Sequence, residues 1–206
     1  MGVLKGGLTV RRYRVDGEVP EGFRASYPEF LQAYAFTEPA SRTSKQERSG
    51  WVLTRNLLDT DFQELDAWLV DTWIVLQLRV DKKTLPARLF NAHLEKRVEA
   101  WCDEHNRERA PKTVKDELKE QLEFEWLQRA LPSVSTTEAV WNMAEGYVLF
   151  HSLSVAANDR FRKLFLQTFA IKLIPENPLD LLTDAMAEAL EATGGTDLRI
   201  DAPGGA

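Results

Sequence analysis

Two long, heavily charged stretches only three residues apart set the strongest limit on what this chain can fold into: LPARLFNAHLEKRVEAWCDEHN (Leu85–Asn106) and APKTVKDELKEQLEFEWLQRAL (Ala110–Leu131). Each is about twenty residues, so each predicts a helix roughly 30 Å long at about 1.5 Å rise per residue. A connection this short makes them antiparallel neighbours. Phe90, Leu94, Val98 and Trp101 form an apolar stripe on the first, with Leu89 and Cys102 beside it. Val114, Leu118, Leu122 and Trp126 form a stripe on the second, and the two stripes are expected to pack together. Phe124, Trp126, Leu127 and Leu131 make the second helix apolar almost all round near its end, which predicts a base buried where the arm re-enters the body. A rod of this kind suits reaching, clamping or pairing better than enclosing a small substrate.

Strand and helix patterns flank the arm. Gly7–Val15, Gly50–Thr54 and Trp73–Val80 read as strands, and Phe62–Leu69 is ambiguous. Pro20–Phe36 carries apolar residues at spacings of three and four, which predicts a helix, or a helix broken near Pro28. After the arm, Glu138–Met143, a turn at Ala144-Glu145-Gly146 and Tyr147–Ser154 read as a β-hairpin. A helix over Val155–Ala170, a strand at Ile171–Ile174 and a helix from Pro178 to about Ala192 follow. The expected class is α+β: a small mixed sheet body over 1–84 and 132–192, with a helical hairpin arm inserted at 85–131 and a disordered tail at 193–206.

Charge is unevenly spread. The formal net charge is −6, and the segment from Pro175 to the end, with seven acids against Arg199, carries all of it. The rest of the chain holds 25 acids and 25 bases. Within it, Lys5, Arg11, Arg12 and Arg14 stand without an acid over residues 1–15, and Arg107, Arg109, Lys112 and Lys115 face only Glu108 at the arm's tip. Patches like these can hold phosphates on an acidic protein, because screening limits distant charges to about 8 Å at physiological salt. Solvated surface charge is the plain alternative.

Enzyme chemistry finds no constellation. The lone Cys102 excludes an internal disulfide or a cysteine metal cage and fits a reducing cytoplasm. His93, His105 and His151 have no zinc-site spacing, and neither a phosphate loop nor a nucleophile elbow is present. Asp59, Asp61, Glu64 and Asp66 cluster enough to raise Mg²⁺ and a nuclease as a third reading, although loop and helix-start charges explain them better. No cofactor and no membrane span are expected.

The order of these motifs resembles the recombination-associated RdgC family. LTVRRYRV is similar to that family's opening strand, and AFTEPASRTSKQERSGWV to the segment leading into its Gly-Trp-Val. The Leu-Pro start at Leu85, the long helix pair, Trp141 with Gly146, and IPENP (Ile174–Pro178) continue in the same order. The resemblance implies a DNA-binding protein without sequence specificity, nucleoid-associated in the cytoplasm, which dimerises into a ring around duplex DNA and restrains recombinase filaments. It implies no established enzyme, though the family has also been labelled an exonuclease. Against the family this chain reads as a shortened member lacking the C-terminal part that closes one interface. At the family's Leu-x-Arg-Ala-Phe exit it has Leu131, at a position implicated in contact between hairpin tips.

Non-specific duplex binding needs Lys and Arg spaced along a surface and no base-reading side chains. The expected contacts are Lys5, Arg11, Arg12, Arg14, Lys82, Lys83, Arg107, Arg109, Lys112 and Lys115, with Arg11 and Arg12 turned to opposite faces of their strand. Expected oligomer contacts are Trp126 and Leu131. The expected partners are double-stranded DNA (single-stranded DNA second), a recombinase, and the chain itself as a dimer or higher oligomer. A self-assembly module without DNA binding is the alternative.

Overall fold

The computed structural model describes residues 9–39, 43, 45, 47–177 and 186. In chain order its elements are β1 (Arg11–Asp16), α1 (Phe23–Ala33), β2 (Arg48–Val52), β3 (Leu69–Val70), β4 (Trp73–Lys82), α2 (Ala87–Glu104), α3 (Lys112–Arg129), β5 (Ser133–Asn142), β6 (Tyr147–Phe150), α4 (Val155–Phe169) and β7 (Lys172–Pro175). The strands make one sheet in the order β2-β4-β5-β6-β1-β7, with β3 paired to β4. All the strand pairings are antiparallel, and a single parallel bridge joins Ala35 to Trp51 at the edge. The fold is α+β. Lys5, the tail, and the expected closing helix apart from Met186 lie outside the described residues.

Alternation along the strands fixes which face is covered. Ile74, Leu76 and Leu78 of β4 stand level with Trp141, Ala139 and Thr137 of β5. The apolar members point into one core with Tyr13, Trp51, Val148 and Phe150. Helices α1 and α4 supply the other wall through Tyr27, Leu31, Phe161, Leu164, Phe165 and Phe169. Phe150 stacks on Phe161 at 4.2 Å between ring centroids, and Trp141 meets Phe165 and Phe169 edge-on at 5.1 and 5.3 Å. Two polar pins hold α4 to the sheet. The Tyr13 hydroxyl donates to Asn158 Oδ1 at 2.5 Å, and Trp51 Nε1 donates to Thr168 Oγ1 at 2.8 Å.

The structure decides elements that the sequence left open, and extends one, for physical reasons. Pro28 does not break α1, because Tyr27 and Leu31 on either side are fully buried. The helical bond it forgoes is to the carbonyl of solvent-exposed Arg24. Phe62–Leu69 becomes a 3-10 turn (Leu65–Ala67) leading into β3, pinned where Trp68 Nε1 donates to the Phe62 carbonyl at 3.0 Å. β5 begins at Ser133, five residues before the apolar pattern does. Its polar first half, SVSTT, is held as strand by pairing with Leu78–Lys82. The turn into β6 has Gly146 at φ 69°, a left-handed conformation that favours glycine.

The Gly-Trp-Val segment also has a structural cause. A Cβ on Gly50 would lie 2.5 Å from Phe36 Cα, since the chain at Ala35–Phe36 crosses directly against β2. Gly50→Ala is expected to cost about 1–3 kcal/mol by forcing that crossing apart, measured by urea denaturation. The buried Tyr27 hydroxyl has no hydrogen-bond partner among the described residues. Burial pushes its ionisation up to about 12, from 10.0. Stability from the neutral phenol is therefore intact below pH 10 and is lost as pH rises through about 12. Tyr27→Phe should match or exceed the parent's stability at neutral pH, by up to about 1–3 kcal/mol. It should also lose less stability across the alkaline range, read by denaturation at stepped pH.

Candidate nucleic-acid interface

β4 runs directly into α2, and α3 runs directly into β5. The helical hairpin thus takes the place of a β-turn between two strands paired from Trp73–Asn142 to Lys82–Ser133. Phe90 and Leu122 are the buried residues of α2 and α3 along with Leu127. Trp126 meets Phe90 edge-on at 5.6 Å and His93 at 5.3 Å. Arg97 clasps Glu125 with two parallel bonds, Nη1–Oε1 at 3.1 Å and Nη2–Oε2 at 2.5 Å. At the base, Lys83 Nζ donates to the Leu127 carbonyl at 2.9 Å.

The base is not buried all round as the sequence suggested. Leu127 is 4% exposed, but Phe124 is 54% and Leu131 88% exposed. An arm of two helices covers one side of α3 and leaves the other to solvent. Leu131 lies at the base of the arm, two residues from β5, far along the chain from the tip. Of the two expected oligomer contacts, Trp126 spends its ring inside the hairpin and Leu131 alone stands open.

The tip closes tightly. His105 stacks on Trp101 at 4.2 Å, Asn106 takes a left-handed φ of 51°, and the Arg107 N–H donates to the Cys102 carbonyl at 2.9 Å. Arg107, Arg109, Lys112 and Lys115 are exposed. Among the described residues none of these four is in an ion pair. Arg107, Arg109 and Lys115 share a shallow pocket of about 370 Å³ with Val98 and Cys102. Glu99, Asp103 and Glu108 also line it, so the pocket is mixed in sign.

The other expected contacts do not join the tip. Arg12 and Arg14 share the sheet face away from α4, and Arg11 lies on the opposite face with Tyr13. Arg14 is exposed, but Arg12 Nε donates to Glu176 Oε2 at 2.7 Å and its guanidinium lies 4.1 Å over the Tyr147 ring. Lys82 is exposed at the end of β4, and Lys83 is engaged at the arm's base. The structure also gathers Arg162, Lys163 and Lys172 around a pocket of about 320 Å³ between α4 and β7, with Asp159, Leu166 and Leu173. In the sequence that group is split between RFRKL and IKLI, and only the packing of α4 on β7 unites it.

The acidic loop is internally satisfied. Asp59 Oδ2 accepts from Arg55 Nε and Nη2 at 3.0 and 2.8 Å, and its Oδ1 accepts the Asp61 N–H at 3.2 Å. Those bonds, the Asp61 amide first, hold its carboxyl below the usual range. Asp61 in turn accepts the Gln63 N–H at 3.1 Å. Among the described residues no three His, Cys, Asp or Glu are placed to hold a metal ion, and no helix is long and apolar enough to cross a membrane.

A family model described as "Putative exonuclease, RdgC" matches residues 10–198, from the start of β1 past β7. The chain belongs to the RdgC family. Curated relatives include the recombination-associated protein RdgC of Neisseria meningitidis serogroup C and of Neisseria gonorrhoeae, each 34% identical over 86 residues. That stretch is 42% of this chain and 28% of each relative, so the chain aligns with under a third of their length. These RdgC relatives are named for recombination, whereas the family model's description names an exonuclease.

Proposed function

We propose that this RdgC-family chain binds duplex DNA without sequence specificity and serves homologous recombination as an oligomer, with the arm as the gripping element and without catalysis. The observation that carries this reading is the arm's tip. Four exposed cations stand there free of ion pairs among the described residues, at the end of a rigid two-helix lever. Such cations can release phosphate counterions on binding without first breaking a bond within the protein. The recombination-associated name of the Neisseria relatives supports the pathway. Arg14 and Lys82 would add weaker contacts on the body.

Reversing the charge of Arg107, Arg109, Lys112 and Lys115 together is expected to weaken duplex binding and to lower the slope of log affinity against log salt by roughly 2 to 4, at about 0.9 per phosphate contact. An unchanged slope would contradict the assignment. The self-assembly reading rests on the openness of Leu131 and Phe124, and predicts an oligomer indifferent to DNA in sedimentation with and without duplex.

The nuclease reading draws on the family's description. Its acidic candidates, Asp59 and Asp61, already serve Arg55 and backbone amides. End-labelled duplex incubated with Mg²⁺ or Mn²⁺ is expected to stay intact. Cleavage abolished by Asp59→Asn and Asp61→Asn would establish the enzyme instead.

A further inference from the structure

A second group of cations lies apart from the arm. On α4, Asp159, Arg162, Lys163 and Leu166 recur at helical spacing, which sets them on one face. That face borders β7, the last strand of the sheet, and with Lys172 and Leu173 it lines a pocket of about 320 Å³. The arm springs from β4 and β5, and β6 and β1 stand between them and β7. Three strand spacings, roughly 14 Å, thus separate the pocket's strand from the arm's base. The tip lies a helix length farther off.

Arg162 is the informative member. Its Nε is buried and has no hydrogen-bond partner among the described residues. A guanidinium nitrogen withdrawn from water normally has one. Arg12, Arg79 and Arg160 each place Nε on a carboxylate. Asp159 stands three residues from Arg162 and four from Lys163, spacings that favour ion pairs on a helix. Yet among the described residues no ion pair engages Asp159, Arg162, Lys163 or Lys172.

Three cations against one acid leave the lining with a surplus of two positive charges. A phosphate monoester carries about −1.5 to −2 at neutral pH and matches that surplus. Each phosphate of a duplex is a diester with a single charge, repeated along a rod. The Nε–H and an Nη–H of one guanidinium make a fork that fits two phosphate oxygens. We propose that this pocket binds a small phosphate monoester, inorganic phosphate or a nucleoside monophosphate, with Arg162 as the forked contact. Lys163 and Lys172 balance the remaining charge. Binding draws the fork toward the ligand, and the unpartnered Nε gives up no bond in turning. Leu166, 48% exposed, offers an apolar side to a base, and Asp159 an acceptor for a sugar hydroxyl. The site stands independently of the arm's grip on DNA.

The full chain is titrated with deoxyadenosine monophosphate and with inorganic phosphate by calorimetry, with circular dichroism confirming that each variant is folded. Saturable binding is expected for both ligands and none for deoxyadenosine. Equal affinity for the two would mean that phosphate alone fills the pocket. A preference for the nucleotide, lost in Asp159→Asn, would mean that the sugar is held as well, and either result supports the site. Arg162→Gln should weaken binding about tenfold or more. Arg162→Lys keeps the charge, loses the fork and should fall nearly as far. Lys163→Gln should weaken binding too, while Lys96→Gln on the arm changes nothing. No saturable binding by the parent would overturn the proposal. So would binding unmoved by the Arg162 variants, or deoxyadenosine bound as well as its monophosphate. Full displacement of the nucleotide by a duplex with unphosphorylated ends would overturn it as well, since the pocket would then belong to a DNA-binding surface.

Discussion

The ten-rung pairing of β4 with β5 is the constraint on which the rest of this molecule depends. An isolated two-helix hairpin of this length is marginal in water, because helix nucleation is unfavourable and most helical stability comes from packing. Here both helices start from a ladder that already fixes their spacing and direction. Its inner half is locked by the aromatic core around Trp141, Phe165 and Phe169, and its outer half carries the arm. Lys83 on the Leu127 carbonyl and Arg97 on Glu125 then tie α3 to the body and to α2. The arm is an extension of the sheet, and a load at its tip is passed to the best-packed part of the fold.

Cations are divided between two tasks. Arg79 is buried and bonded to Asp81 Oδ1 and Oδ2 at 2.8 and 2.6 Å, with its guanidinium 4.0 Å over Phe36 and Nη1 on the Leu57 carbonyl. Arg160 is paired with Glu47, and Lys45 with Glu123. Arg12, bonded to Glu176, belongs to this structural set as well. Each would have to give up a bond to hold a phosphate. Among the described residues the tip cations give up none, which is why the proposed grip on an anionic polymer is assigned to the arm, with Arg14 of the first strand as a weaker contact.

Much of this was legible in the sequence, for reasons specific to each element. The arm helices end within two residues of the expected limits, because stripes such as Phe90–Leu94–Val98–Trp101 carry a period that no strand can satisfy. α4 and the Gly146 turn were equally plain. The first half of β5 was not, because Ser133–Thr137 has no apolar alternation, with Val134 alone among polar residues, and becomes strand only through β4. The sequence left open whether Pro28 breaks its helix, and burial of its neighbours, which outweighs a single missing bond, decides for the unbroken one. At the site, alternation foretold that Arg11 and Arg12 diverge, but Glu176 beside Arg12 and the gathering of Arg162, Lys163 and Lys172 are products of tertiary packing. Family membership was readable only from the order of motifs, none of which is chemically distinctive.

Lysine footprinting decides whether duplex DNA meets this protein at the arm's tip, as proposed. The chain is acetylated briefly with and without duplex DNA at low salt, and modification at each lysine is quantified by mass spectrometry. Strong protection of Lys112 and Lys115, lost at high salt, is expected, with Lys96 on the shaft of the arm and Lys163 on α4 unchanged. Protection confined to Lys163 and Lys172, with the tip lysines as reactive as in free protein, would contradict it.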